Sequence, residues 1–262
     1  MRVVTWNVNS IRTRLERLLG LLARHQPDLL CLQETKVTDD AFPHAELAAA
    51  GWRAETHGQK TYNGVAMIVR AGAALTAVQR GFPGDPAPEQ ARAIAADGGG
   101  ARFLNLYVVN GPAVGSDKYA LKLRWLDALA AWLRDTHDPA RPLVLLGDFN
   151  VAPADEDVHD PAAWKDQVLC SEPERERLRA LMDWGLTDLF RLHHAGPDHH
   201  TWWDYRGGAF ARGHGLRIDL ALGTRAAAAA CSSVAIDRAE RKQGDWESKP
   251  SDHAPVLVDL AL

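Results

Sequence analysis

The chain has 262 residues, of which 46% are hydrophobic, and a formal net charge of -4. That length can bury a sizeable core, and no Ser/Gly linker, low-complexity tract or short-period repeat divides it, so a single domain over residues 1 to 262 is expected. The charge excludes a broadly basic nucleic-acid coat, although not a local positive groove around an acidic centre.

Three cysteines, Cys31, Cys170 and Cys231, cannot all pair with one another and show no close metal spacing, which fits a reducing cytoplasm. The chain enters its first strand without a basic, apolar leader, and no apolar run is long enough to span a bilayer. A soluble cytoplasmic protein with no membrane partner is the expectation. The last strand ends near Leu262 and leaves no recruiting tail, so a monomer is expected.

The first strand alternates Val4, Trp6 and Val8 with Thr5, Asn7 and Asn9, which places the amides together on its polar face. Ser10 is a candidate N-cap for a helix carrying Ile11, Leu15, Leu18, Leu19 and Leu22, closed by Pro27. The apolar strand Leu29 to Leu32 follows, with Cys31 in its core and Glu34 just beyond its end. Asn63-Gly64 precedes a strand from Val65 to Val69, Gly81 to Pro88 reads as a long loop, and Phe103 to Val109 reads as another strand. Successive strands without long helices between them imply antiparallel or mixed pairing.

A helix from about Asp117 to Arg134 carries Leu123, Leu126, Leu129 and Leu133 on one stripe, and Lys118 and Lys122 near its start could face an anion. The buried strand Leu143 to Leu146 breaks at Gly147 into Asp148-Phe149-Asn150, which puts Asp148 and Asn150 on one face. Ser171-Glu172-Pro173-Glu174 has capping-box spacing before Leu178, Leu181 and Met182, and Gly185 ends that helix. The Ala226 to Ala230 run is too short to carry an element. Strands return at Leu216 to Leu222 and Val256 to Leu260. Strand clusters interrupted by helices in both halves predict an α/β fold, a four-layer αββα sandwich of two mixed sheets with helices on the outer faces.

Polar residues sit where these apolar runs end: Asn7 and Asn9, Glu34, Asp148 and Asn150, Asp219, and Asp252 with His253. Carboxylates, amides and one imidazole delivered from separate segments suit a hard cation and a phosphate ester. Asp219 lies inside an apolar run, where an unpaired carboxylate is costly, so it needs a partner; Arg217 is the plain structural alternative to a histidine. Likewise Lys36 could be a surface partner of Glu34. After the aromatic cluster Trp202, Trp203 and Tyr205, residues Arg206 to Arg217 carry three arginines, a histidine and no acid until Asp219, a candidate phosphate-tracking and base-stacking loop. The ten histidines other than His253 show no zinc-site spacing with cysteines and are assigned to surface or core.

WNVNSIR at Trp6, LQETK at Leu32, YNGVA at Tyr62, GDFN at Gly147, GLRIDLAL at Gly215 and SDHAPV at Ser251 together resemble exonuclease III-type abasic-site endonucleases of the endonuclease/exonuclease/phosphatase superfamily, bacterial branch. The resemblance runs in order over essentially the whole chain. It implies Mg²⁺ or Mn²⁺ as cofactor and duplex DNA with abasic sites or 3′ ends as partner, with cleavage 5′ to the abasic site and trimming of 3′ ends. By the same resemblance Glu34, Asn7 and Asp252 hold the metal, with Asp148, Asn150 and His253 as second-ion ligands. Asp148 is the general base, Asn150 holds the water or a phosphate oxygen, and Asp219 orients His253 toward the scissile phosphate. Tyr107 and Asn110 contact phosphate, Arg206 and Arg212 track the backbone, and Trp202, Leu216 and Ile218 wall a pocket for the base-less sugar. Asn9 stands where animal enzymes carry aspartate, and the loop VVNGPAVGS from Val108 leaves the endonuclease-to-exonuclease balance open. A phosphatase or phospholipid phosphodiesterase on the same metal core is the enzymatic alternative, and a non-catalytic DNA-binding module is the third.

Overall fold

The short apolar runs become strands and the 3.6-residue repeats become helices in a computed structural model that describes Met1–Leu262. In chain order the strands are β1 (Arg2–Asn7), β2 (Leu29–Gln33), β3 (Trp52–His57), β4 (Val65–Arg70), β5 (Thr76–Arg80), β6 (Ala93–Gly98), β7 (Ala101–Tyr107), β8 (Leu143–Asp148), β9 (Leu186–Asp188), β10 (Asp219–Thr224), β11 (Cys231–Ile236) and β12 (Val256–Leu260). The helices are α1 (Ile11–His25), α2 (His44–Ala49), α3 (Asp117–Thr136), α4 (Pro161–Trp164), α5 (Glu172–Asp183), α6 (Ala209–Arg212) and α7 (Arg225–Ala230). No helix is long and apolar enough to cross a membrane.

One sheet has the order β11-β12-β1-β2-β4-β3 and the other β5-β6-β7-β8-β10-β9. Each has a single parallel pair at its centre, β1 with β2 and β7 with β8, between antiparallel neighbours. A parallel pair needs a crossover, which α1 and α3 provide. Both halves of the sandwich therefore follow one plan.

Three apolar layers separate four structural ones, as the αββα expectation requires. Val4, Trp6, Leu18, Leu22 and Leu30 pack α1 on the first sheet. Val3, Cys31, Met67, Phe103, Val144 and Leu146 fill the space between the sheets. Trp125, Leu129, Leu133, Leu143, Leu145 and Leu178 bind α3 and α5 to the second sheet.

Several expectations need correction. The side of β1 that reads as polar does not face water: Thr5 and Asn7 are fully buried on the same side as Val3, against the second sheet. There the Gln33 side-chain amide donates to Thr5 Oγ1 at 2.9 Å and to Asn105 Oδ1 at 2.6 Å, and Asn105 donates to the carbonyls of Leu32 and Ala66, both at 2.9 Å. Such pairing offsets the desolvation of polar groups between two sheets. Ser10 precedes α1 but its side chain caps nothing, and its φ of 89° lies in the left-handed region. Instead the amides of Ser10 and Ile11 donate to the carbonyls of Glu34 and Thr35.

Lys122 is not free to meet an external anion; it is fully buried and ion-paired with Glu174, the second acid of the α5 capping box. The alanine run does form α7, whose Ala227 packs beside Gly223 of β10. The last sheet strand before it starts at Asp219 rather than Leu216.

Gly147 lies within β8 and is required by close approach rather than by a turn. Its φ is 139°, and a Cβ there would meet the carbonyl oxygen of Leu106 at 1.9 Å. Gly147→Ala must force β7 and β8 apart where they pair. It is expected to cost more than about 3 kcal/mol in urea unfolding; a loss below 1 kcal/mol would show that the strands tolerate the displacement.

Candidate active site

Period-two alternation decides which side chains meet. Val3, Thr5 and Asn7 point from β1 into the space between the sheets, as do Val144, Leu146 and Asp148 from β8. Register then brings the strand ends level: Asp148 stands opposite Tyr107 of β7 on one side and Asp219 of β10 on the other. Glu34 follows β2 directly, and His253 precedes β12. One open end of the sandwich thus gathers residues from the ends of six strands.

Carboxylate oxygens of Glu34 and Asp148 and a ring nitrogen of His253 lie within 4.8 Å of one another. Asn7 bridges the two acids: its amide nitrogen donates to Glu34 Oε1 at 2.8 Å and to Asp148 Oδ2 at 2.9 Å. Its oxygen accepts the Asn9 amide at 3.0 Å, so Asn7 turns its N–H side, not a ligand oxygen, toward the acids. The other Glu34 oxygen pairs with Lys36 at 2.7 Å. Glu34 is therefore both a member of the acidic cluster and the ion-pair partner of Lys36. Its φ of 52° places the side chain past the strand register, at the mouth of the sandwich.

Asn150 stays beside Asp148 through a turn rather than by strand alternation. Its backbone amide donates to Asp148 Oδ1 at 2.9 Å and its side-chain amide to the Val108 carbonyl at 3.0 Å, with φ 51°. Phe149 points the other way into the α3 layer. Burial drives the Asp148 carboxyl up to about 7, Asp219 and Glu34 add to the rise, and His253 and Asn7 oppose it. An acid held near neutrality can exchange a proton at working pH.

Asp219 Oδ2 lies 2.9 Å from His253 Nδ1, and His253 Nε2 lies 3.8 Å from Asp148 Oδ2. Burial alone would depress this imidazole, but Asp219 and then Asp148 outweigh it and lift His253 to about 10. Asp219 is therefore not the partner of Arg217. That guanidinium is itself buried between Asp157 (2.6 Å) and Asp188 (2.7 Å).

Tyr107 is buried, and burial followed by Glu34 and Asp148 pushes its phenol well above the ordinary value, so it stays protonated.

Asp252 stands apart from the closest cluster. One of its oxygens accepts from Asn9 at 2.9 Å and the other from the Trp202 indole at 3.1 Å. Against burial, His253 and those two hydrogen bonds hold its carboxyl below the usual range. Leu216 and Ile218 are fully buried with Val158, Leu169 and Cys170 beneath Trp202, so they support that indole rather than line an open wall. Asn110, Arg206 and Arg212 are exposed, and the side chains of the two arginines bond no protein group.

Some supporting roles carried no sequence signal. Arg92, buried, stacks 4.8 Å over the Tyr107 ring. Lys122 donates to the Asn150 carbonyl at 2.5 Å and so anchors the turn after β8. Thr201 Oγ1 accepts the amides of Ile218 and Asp219 at 3.1 and 3.0 Å. A buried Arg or Lys in an amphipathic or irregular stretch looks solvated until its partners, far off in sequence, are known.

An acidic cluster backed by an aspartate-histidine pair, at the end of a two-sheet sandwich, defines a hydrolase of phosphate esters. Residues 4–253 match the endonuclease/exonuclease/phosphatase family, and the chain belongs to it. Exodeoxyribonuclease III of Haemophilus influenzae is 34% identical over 99% of this chain and all of its own length. A Neisseria 3′ phosphatase solved with a product DNA hairpin shares 44% identity at a TM-score of 0.93, with both chains covered completely. An AP endonuclease from Archaeoglobus fulgidus shares 35% identity at a TM-score of 0.93, again with full coverage of both chains. The resemblance read from the sequence motifs is borne out.

Proposed function

We propose that the protein is a divalent-metal-dependent DNA repair hydrolase that cuts the phosphodiester 5′ to abasic sites in duplex DNA and also trims and cleans 3′ ends. The observation that carries this reading is the meeting of Glu34, Asp148 and the Asp219-His253 pair at one end of the sandwich. The donor set fits a hard cation: two carboxylates from separate segments, with Asp148 raised by a burial that a dication would offset. Glu34 would hold Mg²⁺ or Mn²⁺ with Asp148 beside it; such an ion would neutralise phosphate charge and acidify water.

The chain's own residues divide the remaining work. Asp148, steadied by Asn7 and by the Asn150 backbone amide, accepts the proton of the attacking water at Oδ2 and returns it to the 3′ oxygen released as the P–O bond breaks. Asp219 fixes the proton on His253 Nδ1, which leaves Nε2–H of the charged ring to donate to the scissile phosphate as negative charge builds. Tyr107, kept protonated, donates a hydrogen bond from its hydroxyl to the same phosphate. Trp202 abuts the sugar, while Arg206, Arg212 and Asn110 meet the backbone. With three free cysteines, Cys31, Cys170 and Cys231, a cytoplasmic monomer acting as a single domain is the working assignment.

A gel assay on duplexes with an internal tetrahydrofuran, a recessed 3′ end and a 3′ phosphate tests the reading, with inositol phosphates as the contrast. Scission next to the tetrahydrofuran that stops in EDTA is expected. Turnover of inositol phosphates with no DNA cleavage would transfer the protein to the phosphatase alternative.

Metal binding also predicts a pH dependence. In the metal-free protein the raised Asp148 contributes stability below its unfolded value of about 4 that is lost as pH rises through about 7. A dication needs the ionised form, so protons compete with it below neutrality. Saturating Mg²⁺ should therefore raise Tm more at pH 8 than at pH 6 in thermal-shift measurements; equal shifts would remove Asp148 from the ion's surroundings.

A further inference from the structure

Four histidines and an aspartate lie within the eight residues His193 to His200, and the reaction uses none of them. The segment leaves β9 and folds over a cavity of about 320 Å³ bordered by Phe190, His194, Asp198, His199, His200 and Arg238. We propose that His194, His199 and His200, with Asp198, form a second metal site, one that takes a transition-metal dication of the zinc, cobalt or nickel type.

Four observations support it. The His194 and His199 rings have centroids 5.5 Å apart and planes tilted by 52°. Two imidazoles on one tetrahedral ion, with metal-nitrogen bonds of about 2.1 Å, hold their centroids roughly 5 Å apart. Second, His194 Nε2 lies 2.6 Å from the Val234 carbonyl. A hydrogen bond of that kind fixes the tautomer and leaves Nδ1 with a free lone pair, the usual arrangement of a metal-bound histidine. Third, His200 is 5% exposed, lines the same cavity, and its Nε2 has no hydrogen-bond partner. Burial keeps this ring neutral, and an unpaired buried nitrogen costs about 1–3 kcal/mol until something meets it. Fourth, Asp198 sits at the rim with a left-handed φ of 69°, supplying an oxygen donor.

The four donors do not yet converge on one point, so holding an ion requires the half-buried His199 and the exposed Asp198 to turn toward His194 and His200. Arg238 borders the cavity as well, but its guanidinium rests on the Trp203 and Phe210 rings at 5.3 and 5.1 Å. Nitrogen-rich donors favour zinc-like ions, whereas the Glu34-Asp148 centre is rich in oxygen and favours Mg²⁺. Occupancy would clamp the residue before Thr201, whose hydroxyl holds the Asp219 amide and whose carbonyl accepts the Ala254 amide at 2.7 Å. The second ion would thereby brace the two segments that present the aspartate-histidine pair.

The test uses the full chain, stripped with EDTA and then kept in excess Mg²⁺ so that the carboxylate centre is filled. Zn²⁺ is titrated calorimetrically, and Co²⁺ is followed by its visible absorption. One equivalent of Zn²⁺ that displaces Co²⁺ is expected. It should persist in Glu34→Gln and weaken at least tenfold in both His199→Ala and His194→Ala. Because His200→Ala could fail to fold, the two less buried histidines carry the decision. Zn²⁺ binding that survives both histidine variants but disappears in Glu34→Gln overturns the proposal, as does no binding in the presence of Mg²⁺.

Discussion

Asp148→Asn should reduce cleavage of a tetrahydrofuran-containing duplex by roughly 10² to 10⁴-fold while leaving the fold in place. The substitution keeps the size and much of the hydrogen bonding of a fully buried side chain: the Asn150 amide can still donate to the remaining oxygen. It removes the only group there raised to about 7, an acid suited to taking a proton near neutral pH. Asn7 would then face one amide group and one carboxylate, a mismatch that costs a hydrogen bond rather than the core. Single-turnover rates together with a urea melt separate the two effects. A mutant that turns over at close to the wild-type rate would take the proton-transfer role away from Asp148.

The second large effect is expected from Asp219→Asn. Asp219 is the strongest influence holding His253 at about 10 against burial, which by itself would depress the ring. With that charge gone His253 falls toward or below its ordinary value of about 6.5, and at pH 8 it no longer carries charge. Activity at pH 8 should drop roughly 10² to 10⁴-fold, by analogy with loss of the orienting acid in other aspartate-histidine pairs. The alkaline limb of the pH-rate profile should move from near 10 toward neutrality. The sign for stability follows from the same shift. A histidine raised in the folded state contributes stability fully present below about 6.5 and lost as pH rises through about 10. The Tm gap between wild type and Asp219→Asn should therefore be widest in mild acid and shrink in alkali. An alkaline limb that stays where it was would mean that Asp219 does not tune the imidazole.

Much of this arrangement is legible in local sequence. β12 has the bounds read from the apolar pattern, and β2, β4, β7 and β8 lie within one or two residues of theirs. Most buried central strands announce themselves as uninterrupted apolar runs. By contrast β6, buried but built largely of alanine, is not marked in this way, and neither are the four edge strands β3, β5, β9 and β11, of which all but the three-residue β9 are half-exposed without alternation. Their pairing comes from a neighbour's free hydrogen-bonding edge, which local sequence does not encode.

At the site, the residue types were readable and their partners were not. Strand-end positions picked out Glu34, Asp148, Asp219 and His253 because a polar group closing an apolar run is costly unless it has work or a partner. The sequence by itself thus determined the mixed αββα class, the family and the chemical types at the open end. Only the tertiary structure decided that Arg217 belongs to Asp157 and Asp188 and leaves Asp219 to His253, and that Lys122 is spent on Glu174 and Asn150. It likewise decided that Asn7 offers its N–H to two acids while Asp252 is held by Asn9 and Trp202. The reason is physical: periodicity and burial act within one segment, whereas a charge chooses among partners brought near by sheet register and layer packing.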